Sequence, residues 1–320
     1  MVAGRLAGLD GSSVVVEVPA SSANLGAGYD CLGVAIAMTN RIEVEVRVWS
    51  RGAIELVVDG EGRNELTEDR ENRFVRGLEA ALRVIFGELP DGIGWRIGMR
   101  NQIPLARGLG SSAAATIGGL LAGNALAGEP LARPELLRLA TQIEEHPDNA
   151  AAVLLGGFVV TAATPEGVEA VRFDAPRELR AVLFIPDLRL STRGMRAALP
   201  ATVPLADAIA NLGAVALGVA GMATGHFELL GRLTVDRLHE PYRAVVYPQL
   251  PDLVAAARAA GALGACLSGA GSTIIAFTDT ATGAAALETA LTAAAARAEL
   301  PGRARTVELR NEGARVVARA

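Results

Sequence analysis

A chain of 320 residues, 51% hydrophobic and 20% charged, is long enough for one large or two medium domains and too apolar to be disordered. Its net charge of -5, with no Arg-rich block interleaved with aromatics, argues against nucleic acid as a partner. All 30 cationic residues are arginine, so a Walker A lysine, a protein-kinase strand lysine and a Schiff base are excluded together.

Cys31 and Cys266 form no CxxC pair, and Met1–Asp10 carries no leader pattern. The expected setting is soluble, reducing and cytoplasmic. Val14–Val18 reads as a strand running into a polar turn. Arg41–Val48 alternates Ile42, Val44, Val46 and Val48 with Glu43, Glu45 and Arg47, the period of a half-buried strand. Ile54–Val58 is a further strand. A helix is expected from Asn72, with Phe74, Leu78, Leu82 and Ile85 on one face, followed by a strand at Trp95–Met99.

The stretch Ile103–Ala115 is the most informative. A Pro104 loop carries Gly108 and Gly110, then Ser111 and Ser112, then an Ala-rich helix over Ala113–Ala127. Glycines let backbone N–H groups crowd an anion, and a helix start adds unpaired donors and a positive dipole end. The loop is therefore read as a phosphate cradle, with a serine hydroxyl placed to reach a metal ion.

A helix over Pro134–Ile143 should end at His146-Pro-Asp-Asn149, because the residue before a proline resists helical geometry. Val159–Ala163 and Glu169–Phe173 form an expected hairpin. A fresh start at Arg180–Ile185 puts the boundary near residue 176, giving domains 1–175 and 176–320. Helices follow at Leu205–Met222, Phe227–Leu233 and Leu253–Ala260, then strand, helix, strand. Within the first of these, the 16 residues Ala208–Ala223 are the most apolar stretch. With Asn211 and three glycines it is short for a membrane span and reads as a buried core helix, so no membrane is expected. The fold class is α+β.

Three separated segments share one resemblance: Pro19-Ala-Ser-Ser-Ala-Asn-Leu-Gly-Ala-Gly-Tyr-Asp30, the Pro104–Ala115 loop, and Gly264-Ala-Cys-Leu-Ser-Gly-Ala-Gly-Ser272. Together they resemble the GHMP kinases, small-molecule kinases named for galactose, homoserine, mevalonate and phosphomevalonate. The first segment, with Glu144–Asn149, Ser191–Pro200 and Glu240-Pro-Tyr-Arg243, is most similar to the homoserine kinases of that group. The resemblance implies a two-domain fold, an N-terminal half like domain 2 of ribosomal protein S5 and a ferredoxin-like C-terminal half. It also implies ATP with Mg²⁺, an amino-acid alcohol (L-homoserine) as acceptor in threonine biosynthesis, and a homodimer. The alternatives are a mevalonate-type or sugar kinase, or a non-catalytic RNA-binding scaffold.

On that resemblance the phosphates fall to Pro104, Leu105, Ala106, Arg107, Gly108, Leu109, Gly110, Ser111, Ser112 and Ala113. Mg²⁺ falls to Ser112 and Glu144. A second carboxylate, Glu145, stands beside Glu144, and the sequence leaves open which one faces the metal. Asn72 is an adenine contact or an ordinary N-cap. The substrate's ammonium falls to Asp30 and Asn24, and its carboxylate to Arg196 and Arg243, whose planar forks match that group. Gly269 allows a close backbone approach. His146 and Asn149 are assigned to substrate positioning, and Asp148 is left as the candidate base, because an amide cannot take a proton. Ser268 is not a hydrolase nucleophile, since Cys266 stands where an elbow needs glycine.

Overall fold

The computed structural model describes residues 8–48, 50–89, 92–165 and 167–320. Most of Met1–Asp10, where no leader pattern is seen, lies outside them. The first layer is a seven-stranded sheet of β1 (Ser13–Ala23), β2 (Leu32–Arg47), β3 (Ile54–Gly60), β4 (Gly94–Asn101), β5 (Phe158–Thr164), β6 (Gly167–Phe173) and β11 (Arg315–Arg319). Its order is β11-β1-β2-β4-β3, with the β5–β6 hairpin attached to the start of β2; among the described residues only β3 and β4 pair in parallel. The alternation in β2 does as its sequence predicts, with Ile42, Val44 and Val46 buried beneath Glu43 and Glu45.

The polar turn expected after Val18 is instead more strand. β1 continues through Pro19 to Ala23 across a bulge at Pro19/Ala20, pairing Ser21 and Ser22 with Ala35 and Val34. The bulge absorbs the proline's missing N–H. Both serines are fully buried because they have partners described below.

Helices α1 (Arg73–Phe86), α2 (Ser111–Leu126), α3 (Arg133–Glu144) and α4 (Asp148–Leu155) form the next layer. α2 is apolar all round, lying on β1 with α1, α3 and α4 around it, as a fully enclosed helix should. Its backbone touches that of α1: a Cβ on Gly119 would sit 2.0 Å from Phe74 O, and one on Gly77 2.3 Å from Thr116 O. α4 is an element the sequence reading missed. Pro147 ends α3, as expected, but also opens α4, because proline is preorganised for a helix's first turn.

The second layer is a four-stranded antiparallel sheet of β7 (Arg180–Pro186), β8 (Gly264–Leu267), β9 (Ile274–Thr278) and β10 (Gly302–Glu308), in the order β10-β7-β9-β8. Helices α9 (Leu250–Ala259) and α10 (Ala281–Arg297) pack on it, the split βαβ arrangement of a ferredoxin-like half. The third glycine-rich segment is the β8–β9 turn, so the expected single strand there is a hairpin. β11 then returns to β1, and the two halves share one end of the chain.

The short helices are α5 (Thr192–Ala197), α7 (Leu230–Leu233) and α8 (Glu240–Arg243); between α5 and α7 runs α6 (Leu205–Thr224). α6 corrects the expectation of a buried helix at Ala208–Ala223. Its only buried residues are Asn211, Gly218, Gly221 and Met222, while Leu205, Ile209, Leu212 and Leu217 are exposed. The small residues face inward, with Gly218 against Leu233 and Gly221 against Leu229, so the large apolar ones are left outside. Composition reports how apolar a helix is, not which side its bulk is on.

Candidate active site

The three glycine-bearing segments meet backbone to backbone. Ser21 N–H donates to Leu109 O (3.2 Å), Gly269 N–H to Ala23 O (3.0 Å) and Thr273 N–H to Arg107 O (3.1 Å). Ser22 Oγ and Ser268 Oγ are 2.8 Å apart, and Ser268 Oγ also lies 2.7 Å from Gly108 O. A hydroxyl has one proton to give, so Ser268 donates to the carbonyl and accepts from Ser22. These bonds account for the two buried serines of β1, and they hold the loop before α2 in place without any ligand. Gly108 (φ 75°) and Gly110 (φ 69°) both take the left-handed conformation that side chains resist.

Above this junction opens a cavity of about 690 Å³. One wall is Ala106, Gly108–Ala113 and the start of α2, whose first-turn N–H groups have no capping side chain. Uncapped donors at a helix N-terminus are an anion site in waiting. Beside it is an all-oxygen corner. Ser112 Oγ and Thr116 Oγ1 both donate to Glu144 Oε1, at 2.9 and 2.6 Å. Arg73 Nη1 lies 3.7 Å from the same oxygen. Glu145 also lines the cavity; it caps α3 in a left-handed conformation and is exposed.

The opposite wall carries opposite charges in close contact. Arg196 grips Asp30 with both nitrogens (2.5 and 3.0 Å) and donates to Tyr29 Oη (2.7 Å). Asn24 Oδ1 accepts from the Asp30 N–H (3.1 Å), holding Asp30 at a left-handed φ of 56°. Asn24 Nδ2 and Arg243 Nη1 both donate to Gly269 O, at 2.9 and 3.0 Å. Arg243 is 1% exposed, and burial pushes its pKa down. The Tyr29 ring lies near both guanidinium groups, 5.3 Å from Arg196 Cζ and 5.4 Å from Arg243 Cζ.

Between the two walls stand His146, Asp148 and Asn149. Asn149 Oδ1 accepts from Ser21 Oγ (2.8 Å), leaving its Nδ2 as the end free for a ligand. Asp148 is 2% exposed, and its Oδ1 accepts from the Asn149 N–H (2.6 Å). His146 Nδ1 lies 3.4 Å from that oxygen. Burial pulls the His146 pKa down, but the Asp148 carboxylate outweighs it and the net shift is upward.

Four candidates do not line this cavity: Asn72, Pro104, Leu105 and Arg107. Asn72 spends both ends of its amide, capping Phe74 N–H and donating to Thr67 O. Arg107 ties its loop to the second layer by donating to Pro186 O, Leu105 O and Asp187 O. Thr116, Arg73 and His239 join the site without having been candidates, and Tyr29 was read only as part of its segment. Thr116 was legible in principle, since it lies one helical turn after Ser112 on the same face.

A sheet-and-helix half carrying a glycine-rich loop, joined to a ferredoxin-like half across one cleft, fits a small-molecule kinase class. The GHMP kinases N terminal domain profile matches residues 72–157 and the GHMP kinases C terminal profile residues 219–297. A homoserine kinase of Moorella thermoacetica is 43% identical over 82% of this chain and 86% of the relative. One of Caldicellulosiruptor bescii is 41% identical over 83% of this chain and 84% of the relative. The crystal structure of homoserine kinase from Cytophaga hutchinsonii superposes with a TM-score of 0.84 at 29% identity, covering 95% of this chain and 97% of that one. The chain belongs to the homoserine kinase family of the GHMP kinases.

Proposed function

We infer that the protein is an ATP-dependent homoserine kinase, moving the γ-phosphoryl group of ATP to the side-chain hydroxyl of L-homoserine. The product, O-phospho-L-homoserine, feeds threonine biosynthesis. The observation that carries this reading is the cavity's two-ended chemistry. An anion cradle lies at one end, and an acid with two arginines, the complement of a zwitterion, at the other.

Phosphoryl transfer asks for positioning and charge neutralisation rather than covalent help. The N–H groups from Gly108 to Ala113 would grip the phosphates, replacing the lysine this chain lacks. Ser112, Thr116 and Glu144 form a hard-oxygen set that fits Mg²⁺, which takes one or two carboxylates and otherwise phosphate and water. Among the described residues no cluster of three His, Cys, Asp or Glu competes for a metal. When bound, that ion supplies neutralisation of the β- and γ-phosphate charge. Asp30 would accept from the substrate ammonium, and Arg196 and Arg243 would hold its carboxylate. Asn149 Nδ2 would orient the hydroxyl, with Asp148 beside it as the candidate base.

The alternative is a mevalonate-type or sugar kinase, but mevalonate has no ammonium to satisfy Asp30. ADP release measured with homoserine, mevalonate and galactose decides between them. Homoserine-dependent turnover is expected, and its absence in folded protein rejects the assignment. ATP and a free amino acid meet in the cytoplasm, where we place the reaction. We also propose a homodimer in which the exposed apolar face of α6 is covered by a second copy of the chain.

A further inference from the structure

Arg243 is the more deeply buried of the two arginines, yet its Nε has no partner. An unpaired buried N–H on a charged group is costly, so its orientation needs a cause. Nη1 is committed twice, to Gly269 O at 3.0 Å and to His239 Nδ1 at 3.1 Å. His239 is fully buried, one helical turn before Arg243 across α8. Its other nitrogen, Nε2, lies 2.8 Å from Gly26 O. A carbonyl can only accept, so Nε2 carries the proton and Nδ1 presents a bare lone pair to Arg243.

On balance the groups around the ring favour that one neutral tautomer. Burial and the Arg243 charge hold the His239 pKa down at about 4, against the pull of Asp236. The Asp236 carboxylate is 3.7 Å from Nε2 and is occupied elsewhere, accepting the N–H groups of Leu238, His239 and Glu240 at the start of α8. Asn211 Nδ2 donates to it as well. Tyr29 packs its ring 5.3 Å from the imidazole.

We propose that His239 is a positioning residue for the substrate carboxylate: by accepting from Arg243 Nη1 and bracing Gly26 O, it turns the Nε–Nη2 edge of Arg243 to the ligand. A carboxylate then docks side-on against that edge, completing the unpartnered Nε. The same residue fixes the loop that carries Asp30, because Gly26 lies four residues before it. One buried imidazole thus sets the spacing between the group that reads the ammonium and one that reads the carboxylate. This rests on the proposed role of Arg243 in binding homoserine.

The two bonds of His239 can be separated. His239→Gln keeps a donor at the ε position for Gly26 O and loses the acceptor for Arg243; His239→Asn does the reverse. The readout is the ratio of kcat/KM for homoserine to that for homoserinol, which lacks the carboxylate, together with KM for ATP. In His239→Gln the ratio should fall roughly 10- to 100-fold, the value of one hydrogen bond to a charged group. KM for ATP should hold, and His239→Asn should restore most of the ratio. A wild-type ratio in folded His239→Gln overturns the proposal, as does an equal loss on both substrates. ¹⁵N NMR of the unaltered protein checks it without a variant: Nδ1 must be unprotonated at neutral pH, and a protonated Nδ1 overturns it. Wild-type protein that turns over no homoserine at all would instead defeat the functional reading, so the two failures are distinct.

Discussion

If main-chain N–H groups grip the triphosphate, the most damaging small change is a methyl group that moves the loop. Gly108→Ala is that change. A Cβ there would lie 2.1 Å from Ser268 O, 2.8 Å from Gly271 N and 2.9 Å from Gly271 O, all backbone atoms that cannot rotate away. The residue also sits at φ 75°, where an L-side chain costs about 1–2 kcal/mol. Overpacking adds about 1–3 kcal/mol, so the loss of stability should be about 2–5 kcal/mol. For a chain of this size that is a fall in Tm of roughly 3–7 °C. Relief of the clash must separate the phosphate loop from the β8–β9 turn, and a shift of about 1 Å in a positioned reactant costs roughly 100-fold in rate. The assay is kcat/KM for ATP, below the variant's Tm, beside a calorimetric melt. Gly98→Ala is the control, since its Cβ would meet nothing within 4 Å. Retention of wild-type kcat/KM by Gly108→Ala would falsify the backbone-grip account.

Ser112→Ala removes one of the two hydroxyls on Glu144 Oε1 while Thr116 keeps the carboxylate partnered, so it should fold normally and demand more Mg²⁺ for half-maximal turnover. An unchanged Mg²⁺ titration removes Ser112 from the metal corner. Glu240 is half-buried, and its carboxylate accepts from Leu267 N–H (2.7 Å). Burial, opposed by that bond and reinforced by Asp236, raises its pKa from 4.5 to about 7. A raised folded-state pKa means stability that is complete below pH 4.5 and lost as pH rises through 7, on the order of 3 kcal/mol. Glu240→Gln cancels this titration. The wild-type Tm should therefore fall relative to the variant between pH 4.5 and 7.5, and parallel curves refute it. Leu212→Arg, on the exposed face of α6, should convert dimers to monomers in sedimentation with homoserine turnover retained. A monomeric wild type removes the dimer proposal.

How much of this was legible in the sequence depends on whether the information was local. The glycine-bearing loop before α2 was, because glycine, serine and helix onset are all encoded within a dozen residues. So was β2, whose alternation needs no partner to read. β1 beyond Pro19 was not, since its serines look like a turn until Leu109 O, Ser268 and Asn149 supply partners from distant segments. The return of β11 to the first sheet was likewise a pairing decided by tertiary context. Asn72 shows the converse, a residue whose local reading as an N-cap is what the structure displays.

His239 is the sharper case. As an isolated histidine it fits no metal cluster, and the sequence offered no other reason to notice it. What gives it meaning is that Gly26, 213 positions away, aims a carbonyl at one ring nitrogen while Arg243 aims an N–H at the other. Sequence fixes which groups a chain can bring to a site. Their orientation comes from neighbours that themselves never touch substrate. In the proposed clamp of two arginines, that orientation is where discrimination between a zwitterion and a simple alcohol has to arise. Arg196 already has an acid to hold when the site holds no ligand, whereas Arg243 has a backbone carbonyl, a neutral ring and one N–H with nothing to bond. The arginine left incomplete is therefore the one on which a carboxylate gains most.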